Sequence, residues 1–298
     1  MSMRIGFIGL GTMGRPMAHN LIAGGHTLTV HDAVPDAASE LLAEGAAWAA
    51  SARDVGAASE LTFTALPGPA EVEAAVLGSD GLLEGMTPSS IYVDMSTSIP
   101  ATIQRIAELA KQRNIGVLDG PVSGGVRGAR KATLVFMVGG DHDVFLKCEP
   151  VLHCMGEAVF HMGDLGTGYI AKLVNNYMGM SNAVAAMEAM TLGTKAGVNP
   201  AALLDVVNAG TGMSHMSKTL FPYLIFPRTF EPTRFSMELG AKDLRLAVTL
   251  AHELGVPVKV GDTVADALKD AVAQGLGAKD FSTYITLLEG AAGVVVEA

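Results

Sequence analysis

The segment Gly9-Leu10-Gly11-Thr12-Met13-Gly14 constrains the fold of this chain more than any other feature. The first two residues of this segment are the last two of a mainly apolar run, 4–10, which has the length of a buried strand. Residues 12–23 follow it, with apolar side chains at helical spacing. Glycines in this pattern allow a tight turn from strand to helix, and Asp32 lies at the end of the next predicted strand, Thr27–His31, 18 residues after Gly14. The sequence therefore predicts a βαβ unit whose first turn has an open backbone.

Such a turn is suited to binding a dinucleotide. The first glycine permits the turn, Gly11 lets a pyrophosphate approach the backbone, and the last lets helix and strand pack closely. The N–H groups at the start of the helix, around Thr12 and Met13, are oriented toward the phosphates. Asp32 can accept hydrogen bonds from the ribose hydroxyls, and its charge repels a 2′-phosphate. The sequence predicts NAD as the cofactor, with NADP disfavoured.

Composition excludes several other classes of protein. Apolar residues make up 49% of the 298 residues and charged residues 17%, so the chain is not disordered. A formal net charge of −10 argues against nucleic-acid or anionic-membrane binding. We expect neither a membrane span nor a secretory signal. Cys148 and Cys154 suggest no disulfide framework, so we expect a reducing cytoplasmic setting. The spacing of His153, Cys154 and His161 matches no metal motif, and we predict no metal site.

The chain changes character near its middle. Short apolar runs alternate with helical stretches over residues 1–163, which predicts an α/β domain with a Rossmann-type, doubly wound parallel sheet. After Gly168 strand-like runs almost disappear, and residues 164–298 are expected to form an all-helical domain. Its first helix, predicted over 169–197, is apolar on most of its surface. A helix of that kind is expected to be buried all round.

Lys172 and Asn176 lie near the start of this long predicted helix, just after a glycine-rich turn. They are four residues apart and therefore share one helix face. The residues that flank Lys172 are apolar, and desolvation there disfavours its charged form. An amine so placed can exchange a proton with a substrate oxygen. The alternative is a lysine stem that leaves a core helix and reaches solvent.

Two further motifs follow predicted elements. Asp119-Gly120-Pro121-Val122-Ser123-Gly124-Gly125 comes directly after a strand. The Ser123 hydroxyl and the bare N–H groups of Gly124 and Gly125 suit a carboxylate, and ligands bind at this end of parallel strands. A plain loop is the alternative. Lys242-Asp243 lies on a predicted amphipathic helix, where such a pair usually marks a solvated face.

Taken in order, these motifs resemble those of the β-hydroxyacid dehydrogenase family. Residues 6–18 look like the family's opening signature, and Asp94-Met95-Ser96-Thr97 looks like its Ser-Thr loop. The resemblance covers almost the whole chain, although residues 210–215 keep only part of the family's small-residue stretch. It implies a Rossmann domain (1–163) and a helical substrate-binding and dimerisation domain (164–298), joined by a long interdomain helix. It also implies a homodimer or homotetramer.

The resemblance implies roles for individual residues. Lys172 would be the catalytic acid in reduction and the base in oxidation, and Asn176 would orient the substrate. Ser123, with Gly124 and Gly125, would hold the substrate carboxylate. Besides the glycine-rich turn and Asp32, the residues implied to bind the cofactor are Leu66, Pro67, Thr97 and Lys242.

The activity implied is NAD-dependent oxidation of a small β-hydroxy acid, with 3-hydroxyisobutyrate to methylmalonate semialdehyde as the best match. The alternatives are a 2-hydroxy-3-oxopropionate (tartronate semialdehyde) reductase or a dehydrogenase for serine, threonate or 2-(hydroxymethyl)glutarate. Imine reductases share the fold, but relatives of that kind generally lack the lysine found at Lys172. A non-enzymatic dinucleotide-binding module is a further alternative. It would not explain why Lys172 is flanked by apolar residues or why Ser123 is followed by two glycines.

Overall fold

The structure is a computed structural model that describes residues 2–298. The chain divides into two compact units, the first ending at Lys172 and the second covering Leu173–Ala298. The strands of the described residues all lie in the first unit. They are β1 (Arg4–Ile8), β2 (Thr27–His31), β3 (Ala47–Trp48), β4 (Leu61–Thr64), β5 (Ile91–Asp94), β6 (Gly116–Asp119), β7 (Val122–Ser123), β8 (Leu134–Gly140) and β9 (Gly156–Gly163).

The α-helices run through both units, and the boundary between the units falls within α9. The helices are α1 (Gly14–Ala23), α2 (Ser39–Ala43), α3 (Ala52–Ala58), α4 (Pro69–Leu77), α5 (Leu82–Gly85), α6 (Pro100–Lys111), α7 (Gly125–Lys131), α8 (His142–Leu152), α9 (Thr167–Lys195), α10 (Pro200–Ala209), α11 (His215–Leu220), α12 (Met237–Glu253), α13 (Lys259–Ala271) and α14 (Tyr284–Ala292).

The sheet of the first unit has the order β3-β2-β1-β4-β5-β6-β8-β7, with β9 paired to β8. Strands β1 to β6 are parallel, and their order reverses between β1 and β4. Ligands bind outside the carboxyl ends of strands at such a reversal. β8 runs antiparallel to β6 and β7, because the segment 120–133 forms β7 and a short helix instead of a long crossover.

Apolar side chains cover both faces of this sheet, because successive residues of a strand point to opposite sides. On one face Phe7 and Val93 belong to a core shared with α1 and α8. On the other face Ile8 and Tyr92 belong to a core shared with α3, α4 and α6. Helices on both faces are typical of parallel sheets. The predicted doubly wound fold is therefore confirmed.

The second unit is all-helical within the described residues, as predicted. Helices α10 to α14 and most of α9 surround one apolar core. Its fully buried members include Met187, Phe221, Leu244, Leu268 and Ile285. Searched over residues 2–298, the structure contains no helix with the length and apolar character needed to span a bilayer.

The prediction that the long helix is buried all round is wrong for the single chain. Val174, Met178 and Leu192 of α9 are 55%, 58% and 72% exposed. They share one stripe with the exposed residues Asn182, Ala185 and Ala189, at spacings of three to four residues. A helix that is apolar on every face needs a partner on every face, and the described part of one chain leaves this stripe uncovered.

Candidate active site

The glycine-rich turn connects β1 to α1 as predicted. Gly9 has a φ of +95°, which disfavours any residue with a side chain, and its N–H donates to the His31 carbonyl at 3.0 Å. Gly11 is exposed, and a Cβ added there would meet no atom within 4 Å. Thr12 is also exposed, and α1 begins at Gly14 with no side-chain cap on its first N–H groups. The turn thus offers open space and unpaired N–H groups to an anion.

Asp32 follows β2 and faces this turn. Its Oδ2 accepts the Leu10 N–H at 2.6 Å, and its Oδ1 accepts the Val34 N–H at 2.8 Å. The carboxylate is half-buried, and each oxygen keeps a second lone pair. Beside it, the His31 ring lies 5.4 Å from the Trp48 ring, which is partly exposed on β3. The carboxylate is therefore held in place with acceptor capacity left for hydroxyl groups.

The loops after β4 and β5 carry three of the predicted cofactor residues. Leu66 and Pro67 follow β4, and Thr97 lies half-buried after β5. Ser96 joins the two loops, because its hydroxyl accepts the Leu66 N–H at 2.9 Å and donates to Asp94 Oδ1 at 2.6 Å. Both loops leave the sheet at the carboxyl ends of their strands, the same edge as the glycine-rich turn.

Ser123 ends β7, and the two residues directly after it have positive φ. Gly124 and Gly125 have φ values of +126° and +60°, and both are exposed. Helix α7 begins at Gly125. Positive φ at two successive residues is permissible for glycine and costly for most others. The segment presents bare backbone beside the Ser123 hydroxyl, and its role as a carboxylate cradle stays a prediction.

Lys172 lies half-buried near the start of α9. The turn before the helix uses Gly163 and Gly166, with φ values of +117° and +96°. Asp119, the last residue of β6, accepts the Gly166 N–H at 2.7 Å and the Tyr169 N–H at 2.8 Å. A carboxylate at a helix N-terminus satisfies free N–H groups and interacts favourably with the helix dipole. The helix that carries Lys172 is thus bound directly to the end of a strand.

The sequence predicts no role for Tyr169, yet this residue makes a second link to the sheet. Its side chain is completely buried, and its hydroxyl donates to Asp94 Oδ2. Asp94 Oδ1 accepts from Thr64 Oγ1 and Ser96 Oγ, each at 2.6 Å. The signal that could have found this link is that a buried tyrosine needs a partner for its hydroxyl. The partner itself is 75 residues away in the chain.

Burial controls the ionisation of these two carboxyl groups. Desolvation raises the pKa of Asp119 to about 6, although the N–H groups of Gly166 and Tyr169 partly oppose it. Desolvation also raises the pKa of Asp94, against its hydrogen bonds from Ser96, Thr64 and Tyr169. Both residues are 0% exposed. Their charged forms therefore depend on the donors around them.

Asp119 should make folding stability depend on pH. Its pKa is about 6 when folded and about 3.9 when unfolded, so the native state binds more protons between these values. Protonation of Asp119 therefore adds to the free energy of unfolding below pH 4, and this contribution disappears as pH rises through 6. In Asp119→Asn this titration is absent. From pH 4.5 to 7 we expect the wild type to lose about 2 kcal/mol more stability than the variant.

Urea unfolding at fixed protein concentration measures this difference. Carboxyl groups remote from Asp119 titrate in both proteins and cancel when the two pH curves are subtracted. Asp141→Asn provides a control, because Asp141 is an exposed helix cap on Val144 at 3.0 Å. Parallel pH curves for the wild type and Asp119→Asn would contradict the prediction.

Asn176 and Lys242 belong to the second unit. The Asn176 side chain donates to Asp243 Oδ2 at 2.7 Å, and both residues are buried. Lys242 Nζ forms an ion pair with Asp243 Oδ1 at 2.9 Å. Asp243 is 3% exposed, so the solvated face expected of a Lys-Asp pair is wrong for this residue. The roles of Asn176 in orienting substrate and of Lys242 in binding cofactor stay predictions.

One edge of the first unit therefore gathers most of the predicted site: the glycine-rich turn, Asp32, the loops of Leu66 and Thr97, the Ser123 segment and the start of α9. Among the described residues, no cluster of three or more His, Cys, Asp or Glu side chains could hold a metal ion. Cys148 and Cys154 are free thiols. The chemistry available at this edge is anion binding and proton transfer.

Two family models match the chain. Residues 4–163 match the NAD binding domain of 6-phosphogluconate dehydrogenase. Residues 166–288 match the model described as NAD-binding of NADP-dependent 3-hydroxyisobutyrate dehydrogenase. The first match spans the sheet and the glycine-rich turn, and the second spans most of α9 and the helical unit.

Relatives match over nearly their whole length. The chain is 36% identical over 295 residues to 2-(hydroxymethyl)glutarate dehydrogenase of Eubacterium barkeri, covering 99% of this chain and 98% of that protein. It is 36% identical over 296 residues to 3-hydroxyisobutyrate dehydrogenase of Pseudomonas aeruginosa, covering 96% and 98%.

A solved structure agrees with these matches. Mycobacterium tuberculosis 3-hydroxyisobutyrate dehydrogenase with L-serine has a TM-score of 0.89 and 34% identity, covering 97% of this chain and 99% of that one. Identity of this order over both units extends well beyond a shared dinucleotide fold. Together, the two family models and the full-length relatives show that this chain is an NAD-dependent oxidoreductase that belongs to the β-hydroxyacid dehydrogenase family.

Proposed function

We propose that this protein oxidises 3-hydroxyisobutyrate to methylmalonate semialdehyde with NAD, using Lys172 as the general acid and base. One observation carries the proposal: Asp119 at the end of β6 binds the first turn of the helix that contains Lys172. Ser123 follows Asp119 by four residues. The proposed base and the proposed carboxylate cradle are therefore both attached to the end of one strand.

In the proposed reaction, Ser123, Gly124 and Gly125 bind the substrate carboxylate through the hydroxyl and backbone N–H groups. Asn176 orients the substrate hydroxyl, and Lys172 removes its proton during oxidation and returns it during reduction. NAD, when bound, takes up the hydride from the carbon that carries this hydroxyl. Fixed orientation of the reacting groups supplies a large part of the rate.

The residues of the first unit fit NAD. Gly11 leaves open space where a pyrophosphate would approach, and Asp32 keeps acceptor capacity for the two ribose hydroxyls. The other residues that we propose to hold the cofactor are Gly9, Thr12, Met13, Gly14, Leu66, Pro67, Thr97 and Lys242.

Asp32 is proposed to select NAD over NADP. Asp32→Ala removes two acceptors for the ribose hydroxyls and the charge that repels a 2′-phosphate. We expect the ratio of kcat/KM for NADP to that for NAD to rise about 10- to 100-fold, since a hydrogen bond to a charged group contributes about 1.5–3 kcal/mol. Steady-state assays with each cofactor measure it. Asp36→Ala removes an exposed carboxylate nearby and serves as the control. An unchanged ratio in Asp32→Ala would refute the assignment.

The substrate is tested by assaying NADH formation with 3-hydroxyisobutyrate, serine, glycerate, threonate and 2-(hydroxymethyl)glutarate in parallel. We expect kcat/KM for 3-hydroxyisobutyrate to exceed the others by about 10-fold or more, the discrimination that one group in a pocket provides. The reverse reaction with tartronate semialdehyde and NADH completes the panel. If another compound has a higher kcat/KM than 3-hydroxyisobutyrate, the proposed substrate is wrong and that compound takes its place.

Two of these compounds have specific support. The Mycobacterium tuberculosis enzyme was solved with L-serine, and the Eubacterium barkeri relative is a 2-(hydroxymethyl)glutarate dehydrogenase. Serine, threonate, 2-(hydroxymethyl)glutarate and tartronate semialdehyde are therefore the alternative substrates of the same site. All carry a carboxylate for the Ser123 segment and an oxygen for Lys172.

We also propose a cytoplasmic homodimer or homotetramer, in which residues 1–163 bind NAD and residues 164–298 bind substrate and the partner. The exposed stripe of α9, with Val174, Met178 and Leu192, supports association, because an apolar surface of this kind is costly in water. Light scattering at micromolar concentration tests it. A monomer would contradict the proposal.

A further inference from the structure

Three buried side chains tie the helix of Lys172 to the ends of two neighbouring strands. Asp119 ends β6 and binds two backbone N–H groups at the start of α9. Asp94 ends β5 and binds the Tyr169 hydroxyl. All three are 0% exposed, and we name Asp94, Asp119 and Tyr169 the helix anchor.

We infer that the helix anchor positions Lys172: by fixing the first turn of α9 against β5 and β6, it sets where the lysine amine stands relative to the loops of Ser123 and Thr97. The inference rests on the proposed function, since it concerns the proposed acid and base. Asp94, Asp119 and Tyr169 act through Lys172 and take no part in the proton transfer.

The anchor restricts both sliding and rotation of the helix. Tyr169 precedes Lys172 by three residues, so it lies about 4.5 Å away along the axis and adjacent on the surface. Its backbone N–H is bound to β6 and its hydroxyl to β5, and either movement would break one of these bonds. The approach is close: a Cβ at Gly168 would lie 2.8 Å from Asp119 Oδ2. A small displacement here would move the Lys172 amine with the helix.

The same cluster reaches the cofactor loops. Asp94 accepts the Ser96 hydroxyl at 2.6 Å, and Ser96 in turn accepts the Leu66 N–H at 2.9 Å. Thr97 is the next residue. One buried carboxylate therefore holds both the tyrosine beside Lys172 and the loops proposed to line the NAD site. The base and the cofactor loops share a common support.

Tyr92 offers a matched comparison within the same cluster. It is as completely buried as Tyr169, and its hydroxyl lies 2.8 Å from Thr64 Oγ1. Tyr92 lies on β5, however, and this hydrogen bond joins it to the neighbouring strand β4, not to α9. Loss of the Tyr92 hydroxyl disturbs the packing and polarity of the cluster without releasing the helix. A purely structural role for Tyr169 would make the two tyrosines equivalent.

The experiment compares Tyr169→Phe with Tyr92→Phe in the full-length enzyme. We expect Tyr169→Phe to lower kcat about 10-fold while the Kd for NAD stays within about twofold, because a misplaced base slows the chemical step more than it weakens binding. We expect Tyr92→Phe to keep kcat within about twofold of the wild type. Equal kcat values in the two variants would overturn the inference.

A second readout follows Lys172 without turnover. Acetic anhydride labelling of the cofactor-free protein from pH 6 to 10, quantified for the Lys172 peptide by mass spectrometry, gives the pH at which this amine becomes reactive. We expect that midpoint to move by about half a pH unit or more in Tyr169→Phe, since its neighbouring groups change. We expect no movement in Tyr92→Phe. An unmoved midpoint in Tyr169→Phe would overturn the inference.

The two readouts separate this inference from the proposed function. Wild-type turnover in Lys172→Ala, with a shifted labelling midpoint in Tyr169→Phe, would refute the proposed role of Lys172 and keep the anchor. Loss of turnover in Lys172→Ala, with wild-type kcat and labelling midpoint in Tyr169→Phe, would keep the proposed role of Lys172 and refute the anchor. If Tyr169→Phe fails to fold, Asp119→Asn replaces it, because asparagine has only one acceptor oxygen for the two N–H groups at the start of α9. Wild-type kcat and labelling in a folded Asp119→Asn would likewise overturn the inference.

Discussion

We expect Lys172→Ala to lower kcat by about 10²–10⁴, the usual contribution of a positioned acid or base. The alanine has no group to take the proton from the substrate hydroxyl, so water must do so without fixed orientation. The Kd for NAD should change little, since the phosphate and ribose groups are assigned to the glycine-rich turn and Asp32. Single-turnover kinetics and a fluorescence titration with NAD measure the two quantities.

The control for this experiment lies on the same helix. Lys195→Ala removes an exposed lysine from the last turn of α9, with the same loss of charge and side-chain length. We expect it to keep wild-type turnover. Methylamine added to Lys172→Ala should restore part of the rate, as a small amine can occupy the vacated space. Wild-type kcat in Lys172→Ala would exclude Lys172 as the acid and base.

The second large effect is expected from Gly11→Ala. Gly11 is exposed, has no atom within 4 Å of an added Cβ, and lies outside the left-handed region, so alanine fits the free protein. The added methyl group would occupy the space proposed for the pyrophosphate and keep it from the backbone N–H groups. We expect the Kd for NAD to rise about 100-fold, the loss of roughly two charge-assisted hydrogen bonds.

Calorimetric titration with NAD measures this Kd, and thermal unfolding without cofactor checks the fold. We expect the Tm of Gly11→Ala to match that of the wild type. Gly290→Ala is the matched control: Gly290 is also exposed with no neighbour within 4 Å, but it lies in α14. Unchanged NAD affinity in Gly11→Ala would show that the pyrophosphate does not approach this residue.

The first unit could be predicted well where local patterns decide the structure. The alternation of Leu28 and Val30 predicts a strand over residues 27–31, and β2 has these bounds. The position of Asp141 after Gly139-Gly140 predicts a helix cap, and Asp141 caps α8. Helix α4 was not predicted, although its signal was present. Pro67-Gly68-Pro69 indicates a strand end, and Pro69 is also the first residue of α4, where its missing N–H costs nothing. The reversed direction of β8 depends on pairing across the sheet, which a local pattern does not record.

The site could be predicted as a set of residues but not as an arrangement. Glycine spacing marks the turn at Gly11, because only the backbone there matters. The helix anchor depends on contacts between residues 50 to 75 positions apart, such as Tyr169 with Asp119 and Asp94. The exposed stripe of α9 escaped prediction for a related reason. Composition indicates that an apolar surface will be covered, but the sequence does not say by what.

Trp48 is the only tryptophan in the sequence, and its ring lies next to His31, one residue before Asp32. Tryptophan fluorescence from this chain therefore originates at one known place, beside the carboxylate assigned to the ribose. Reduced nicotinamide absorbs light at the wavelengths where indole emits. Energy transfer between two chromophores depends steeply on their separation. Quenching of Trp48 emission by bound NADH therefore reports the distance between the indole and the nicotinamide, without any added dye.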